Sequence, residues 1–157
     1  MKELAKRVIS ALEKNGLTLS CAESCTGGLI AKTITDVSGA SSVFMGGVVS
    51  YANEVKMGVL GVSSDTLKKY GAVSRQTAEE MALGVSKACF SSVSVSTTGI
   101  AGPLGGTAEK PVGTVYVGLY IRGRVLSKLL SLSPTLSRDE IRRETTRIVL
   151  EMLCEEI

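Results

Sequence analysis

A chain of 157 residues, 44% of them hydrophobic, has the length of one domain with a real core, so a single domain over residues 1–157 is expected. Its 18 basic and 15 acidic residues leave a net charge of +3 spread along the chain, which gives no electrostatic footprint for nucleic acid. The sequence has no histidine, which removes Ser-His-Asp, Cys-His and His-ligated metal chemistry together.

No apolar run approaches the ~20 residues needed to span a bilayer. The opening Met1-Lys2-Glu3-Leu4-Ala5-Lys6-Arg7 lacks the apolar stretch of a signal peptide, so a cytoplasmic protein with no membrane partner is expected. The cysteines at 21, 25, 89 and 154 sit among apolar or small residues and are expected to be reduced thiols. Cys21 and Cys25 have no matching second pair, so neither zinc nor any other metal is expected, and no cofactor.

Residues 3–14 carry Leu4, Val8, Ile9, Ala11 and Leu12 on one face and end at Asn15-Gly16, predicting an amphipathic helix. A short strand over about 17–23 leads into Ser24-Cys25-Thr26-Gly27-Gly28, and a second helix follows over about 27–36. A strand, two glycines and then a helix present N–H groups at a helix N-terminus, where Ser24 and Thr26 would face an anion or act on a substrate. The same pattern describes a tight turn capped by Ser24 or Thr26.

Residues 43–51 predict a strand interrupted by Gly46-Gly47. Asn53 is placed to cap the short helix after it, with Lys56 one turn in and Tyr51 at the strand end. Ser64–Lys69 is a short helical segment. Ser74 caps a longer helix with a core stripe of Ala78, Met81, Ala82, Val85, Ala88 and Cys89. The run 92–97 alternates valine with Ser and Thr, predicting a strand with one apolar and one hydroxyl-bearing face that ends at Thr98-Gly99. The long loop 100–113, with Gly102, Gly105, Gly106, Gly113, Pro103 and Pro111, is a second candidate binding wall. Thr114–Ile121 and Val125–Leu132 form a hairpin around Arg122-Gly123-Arg124. A capping box at Ser137 to Glu140 starts the last helix, whose Arg138, Arg142 and Arg143 can reach a phosphate. Parallel βα units followed by an antiparallel edge hairpin predict a three-layer α/β/α sandwich with a mixed sheet. The long apolar edge near Val125–Leu132 is one that proteins usually cover, so a homo-oligomer is expected.

Four runs, Ala22–Gly28, Ser50–Lys56, Gly71–Ser74 and Thr98–Pro103 continuing through Glu109–Val115, closely resemble the C-terminal domain of the competence/damage-inducible protein CinA. The resemblance covers essentially the whole chain. It implies an α/β/α fold and deamidation of nicotinamide mononucleotide, a small-molecule nucleotide, to nicotinate mononucleotide and ammonia in pyridine-nucleotide salvage. With no histidine to serve as base, the economical assignment is Ser24 as nucleophile, Lys56 as its base and Tyr51 as proton relay or donor. Cys25 is the rival nucleophile. Thr26, Gly27 and Gly28 form either an oxyanion hole or a phosphate cradle. Asn53, Thr98, Gly99, Ala101 and Gly102 supply the remaining wall, with Arg138 and Arg142 as phosphate or ribose contacts. The different-class alternative is a catalytically silent nucleotide-binding regulatory module, which has no use for a nucleophile and base together.

Overall fold

Five strands build one mixed sheet in the computed structural model, which describes residues 1–157: β1 (Leu19–Glu23), β2 (Phe44–Val49), β3 (Val93–Gly99), β4 (Thr114–Ile121) and β5 (Arg124–Ser131). Their spatial order is β2-β1-β3-β4-β5. β1 runs parallel to both neighbours, whereas β3–β4 and β4–β5 are antiparallel. Six helices flank the sheet: α1 (Lys2–Asn15), α2 (Leu29–Thr35), α3 (Asn53–Leu60), α4 (Ser64–Tyr70), α5 (Arg75–Ala88) and α6 (Arg138–Glu156). α1, α2 and α6 pack on one face, and α3, α4 and α5 on the other. This is the expected α/β/α sandwich. No helix is long and apolar enough to cross a membrane.

The local signals explain most boundaries. α1 buries Ala5, Val8, Ile9 and Leu12 and closes on Gly16 at φ 63°. The Ser137 capping box forms, with the Ser137 hydroxyl accepting from the Glu140 N–H and the Glu140 carboxylate accepting from the Ser137 N–H at 2.8 Å. The β4–β5 turn needs only Arg122 (φ 51°) and Gly123 (φ 78°), two left-handed residues whose twist matches an antiparallel pair. α2 begins later than its sequence pattern indicates, because Gly27 and Gly28 are both left-handed, at φ 58° and 94°. β2 ends at Val49, leaving Ser50 and Tyr51 in the connection to α3.

The two helical layers are attached by different means. Apolar side chains join α1, α2 and α6 to the sheet. On the other face the hydroxyl-bearing side of β3 donates to helix carbonyls: Ser94 to Ala82 at 2.6 Å and Ser96 to Ala78 at 2.5 Å, joined by Ser20 of β1 to Val85 at 3.3 Å. α5 therefore sits close, and a Cβ on Gly118 would stand 2.3 Å from the Ala78 carbonyl oxygen. Gly84 carries the same constraint against α3, where a Cβ would stand 1.9 Å from the Leu60 carbonyl oxygen. Because that contact is with backbone, Gly84→Ala is expected to destabilise the protein by about 2–3 kcal/mol, read as a lower midpoint in urea unfolding. An unchanged midpoint would show that α3 gives way freely.

The sheet has two edges, β2 and β5. Val125 and Leu129 of β5 are exposed, interleaved with Arg124 and Lys128.

Candidate active site

The carboxyl ends of the parallel strands β1, β2 and β3 meet on one side of the sheet. The connections leaving β1 and β2 pass over opposite faces, so a crevice opens beside β1. Ser24 follows β1, and its N–H donates to the Thr97 carbonyl at 2.9 Å, extending the β1–β3 pairing by one residue.

Lys56 lies one turn into α3, where side chains tilt back toward the helix N-terminus. That tilt carries its amine over the connection from β2. Nζ stands 3.2 Å from Ser24 Oγ, 2.7 Å from the Ser50 carbonyl oxygen and 3.3 Å from that of Tyr51. Lys56 is 1% exposed, and no carboxylate lies within ion-pair distance of it. Burial accordingly pushes its pKa below the usual lysine value, with a smaller opposing pull from Cys25. A neutral amine has two N–H donors and one lone pair, so two carbonyl acceptors leave the lone pair for the Ser24 hydroxyl proton.

The pocket over this pair has a volume of about 220 Å³. Ser24, Cys25 and Lys56 line it together with Tyr51, Asn53 and Arg138 and with Ala72, Val73, Thr98, Gly99 and Ala101. Its only charged side chains, Lys56 and Arg138, are basic, so the pocket suits an anionic ligand. Wider grooves along α6 and between α3 and α5 hold no comparable nucleophile and amine. No cluster of three or more His, Cys, Asp or Glu side chains that could hold a metal gathers anywhere in the chain.

The glycine corner is built differently from its sequence reading. The carboxylate of Glu23, 1% exposed, fills the α2 N-terminus: one oxygen accepts from the N–H groups of Gly28 and Ile30, both at 3.0 Å, and the other from Ala31 at 2.8 Å. An internal anion already holds the place that an external one would take. Neither Ser24 nor Thr26 caps α2, whose N-cap is Gly28. Thr26 does not face the pocket either, being fully buried with its hydroxyl 2.7 Å from that of Thr97. Gly27 and Gly28 lie outside the pocket wall, and Arg142 packs against Gly27, donating to the Thr26 carbonyl at 2.8 Å. Arg143 pairs with Asp139 at 2.5 Å on the exposed side of α6.

Other residues also hold positions that spacing alone does not give. Asn53 lines the pocket but is not a cap, since Ala52 occupies the α3 N-cap position with no side-chain bond. The Tyr51 hydroxyl accepts from Arg138 at 2.7 Å, and the phenol makes no hydrogen bond to Lys56. A second Arg138 donor reaches the Gly102 carbonyl at 2.9 Å, tying loop 100–113 to the pocket rim. Ala72 and Val73, which sequence reasoning did not single out as site residues, are held in the wall by two bonds. Thr98 donates to the Ala72 carbonyl at 2.7 Å, and Lys110 from the long loop donates to that of Val73 at 2.7 Å.

Cys25 is a free thiol, like the other three cysteines, and burial pushes its pKa up to about 11. A thiol so protonated is a poor nucleophile near neutral pH. The backbone N–H groups of Cys25 and Thr26, immediately after Ser24, have no acceptor within the protein.

Comparison with known proteins matches this arrangement to one family. The chain is 49% identical over 152 residues to a CinA-like protein of Kosmotoga olearia, covering 97% of this chain and 36% of that one. It is 54% identical over 152 residues to a putative competence-damage inducible protein of Thermoanaerobacter pseudethanolicus, with the same coverage. The chain thus spans about a third of the length of these curated relatives. Among solved structures, the competence/damage inducible protein CihA from Agrobacterium tumefaciens superposes with a TM-score of 0.93 at 48% identity, over 97% of this chain and 92% of that one. The competence damage-inducible protein A from Klebsiella pneumoniae superposes with a TM-score of 0.94 at 31% identity, over 99% and 95%. The model of the CinA C-terminal domain matches residues 1–157. A match over that full span, shared by sequence and fold, means that the chain belongs to the CinA C-terminal domain family.

Proposed function

We propose that the protein is an amidohydrolase that converts nicotinamide mononucleotide to nicotinate mononucleotide and ammonia. The observation that carries this reading is the buried Lys56 amine 3.2 Å from Ser24 Oγ with no carboxylate beside it. Such an amine loses its proton more readily than a surface lysine and has a serine hydroxyl as its neighbour.

Ser24 Oγ attacks the carboxamide carbon as its proton passes to Lys56, and the carbonyl π pair moves onto oxygen. The N–H of Cys25, on the pocket lining, is free to receive that oxyanion. Collapse breaks the C–N bond, and the Lys56 proton goes to the departing nitrogen, releasing ammonia and leaving an ester on Ser24. Water then adds by the same route: its proton passes to Lys56 and on to Ser24 Oγ, freeing the acid.

With the α2 N-terminus closed by Glu23, the phosphate falls to the basic side of the mouth, where Arg138, Asn53 and Tyr51 stand. Tyr51, 61% exposed and tied to Arg138, contributes its ring and its carbonyl rather than a proton relay to Lys56.

The test is ammonia release from nicotinamide mononucleotide by wild type, Ser24→Ala and Cys25→Ala. Wild type is expected to turn over, Cys25→Ala to stay within a few-fold of it, and Ser24→Ala to lose about 10³-fold or more. Loss in Cys25→Ala with activity kept in Ser24→Ala would reverse the nucleophile assignment. A folded wild type that binds the nucleotide and releases no ammonia would make the protein a binding module.

A further inference from the structure

Ser50 sits between β2 and α3, fully buried, on the very residue whose carbonyl holds the Lys56 amine at 2.7 Å. Its N–H donates to the Glu23 carbonyl at 2.9 Å, so its backbone is fully used. Its hydroxyl has no partner, a condition shared among buried side-chain oxygens and nitrogens only by the Thr145 hydroxyl. A buried hydroxyl without a partner costs stability that an alanine would not.

The lysine's own cycle supplies a use for it. A neutral Lys56 places two N–H groups on the Ser50 and Tyr51 carbonyls and its lone pair on Ser24. Once it has taken the Ser24 proton, the amine carries three N–H groups, and one of them must turn from Ser24 to the departing nitrogen. An additional acceptor on the residue whose carbonyl already holds the amine keeps it in place through that turn.

We propose that the Ser50 hydroxyl is a positioning group for Lys56, taking over after proton transfer the N–H that makes the longer 3.3 Å contact to the Tyr51 carbonyl, so that the charged lysine stays anchored while it delivers a proton to the leaving group. The inference rests on the Ser24–Lys56 assignment above. The titratable groups around Lys56 are the Cys25 thiol, the Tyr51 phenol and the Arg138 guanidinium on the pocket wall, with Glu23 behind on β1. The Glu23 carboxylate is turned to the α2 N–H groups and the phenol to Arg138, so neither serves as acceptor for the amine.

The test compares wild type, Ser50→Ala and Ser50→Thr by the rate at which a small alkyl fluorophosphonate labels Ser24 across pH, beside ammonia release from nicotinamide mononucleotide and the melting temperature. The fluorophosphonate needs the Ser24–Lys56 pair but not the natural substrate. Ser50→Ala is expected to label about tenfold more slowly on the alkaline plateau, the effect of one lost hydrogen bond to a charged group. The limb where labelling rises with pH should move to lower pH, because losing an acceptor disfavours the protonated amine. Its kcat should fall with KM unchanged, its melting temperature should hold or rise, and Ser50→Thr should restore rate and limb. Unchanged rate and limb in Ser50→Ala would overturn the inference. So would slow labelling that comes with a lower melting temperature and is not rescued by threonine, since that is a packing effect. Labelling of the wild type without ammonia release would overturn the substrate reading and leave the Ser50 comparison to be read from labelling. A wild type that does not label has no activated serine, and the inference falls with the pair.

Discussion

Lys56→Met is expected to lower ammonia release from nicotinamide mononucleotide by about 10³-fold or more while the protein stays folded. Methionine keeps the length and apolar stem of the side chain and removes the only amine in contact with Ser24. Nucleotide binding should change little if Arg138 and Asn53 hold the phosphate end. Measuring turnover and nucleotide affinity on one preparation separates the two effects. Activity within tenfold of wild type would remove Lys56 from the chemistry.

The same substitution makes a stability prediction of opposite sign. Lys56 has its pKa lowered by burial, so between its folded and unfolded pKa values the unfolded chain binds more protons. In that window stability rises with pH. Below it, the full cost of burying the charged amine is present, and above the unfolded value that cost is gone. Lys56→Met removes the cost at every pH. It is therefore expected to melt at or above the wild-type temperature near neutrality, with the difference shrinking as pH rises through the window. A variant that melts well below wild type would show that the three contacts of the amine outweigh its desolvation.

Glu23→Ala is expected to destabilise the protein by about 4 kcal/mol, read as the shift of the denaturant midpoint at fixed slope. The N–H groups of Gly28, Ile30 and Ala31 would lose their acceptor at the first turn of α2. The turn that carries Ser24 begins one residue away, so turnover should fall as well. The vacated corner would then match what the two glycines suggest in isolation, and inorganic phosphate is expected to restore part of the stability of Glu23→Ala while leaving wild type unaffected. A cost under about 1 kcal/mol would mean that water replaces the carboxylate without loss.

That corner also shows where the sequence stopped being readable. Two glycines before a helix carry the same local signal whether the anion is a ligand or a carboxylate five residues upstream. The register of β1 distinguishes them. Alternate residues of a strand share a face, so Glu23 lies on the side of Leu19 and Cys21, toward α2, and away from Ser20 and Ala22, which meet α5 and its neighbours. Elements with their own punctuation were legible: the α1 stripe ending at Gly16, the Ser137 capping box and the left-handed pair at Arg122 and Gly123. So was the grouping of Ser24, Tyr51 and Lys56, because strand ends in a parallel sheet converge. Ala72 and Val73 were not, since small apolar residues in a connection have no chemical signature. Their place depends on Thr98 and Lys110, which are 26 and 37 positions away from the carbonyls they bind. The phenol of Tyr51, read as a proton relay or donor, bonds Arg138, a partner 87 positions away that local spacing does not reveal.

The seam of the sheet at β1 has a consequence for how such a pocket can change over time. Ser24 and Lys56 belong to the β1–β2 half, whereas Ala72, Val73 and the loop rim belong to the layer anchored by α5 and β3. Since α3 packs on α5, the part of the wall free to diverge without disturbing the reacting pair is the loop rim, tied to the pocket through Arg138 and Gly102. On the amidohydrolase reading, exchanging loop 100–113 among related chains should thus retune which amide is accepted while the bond-breaking step keeps its rate law.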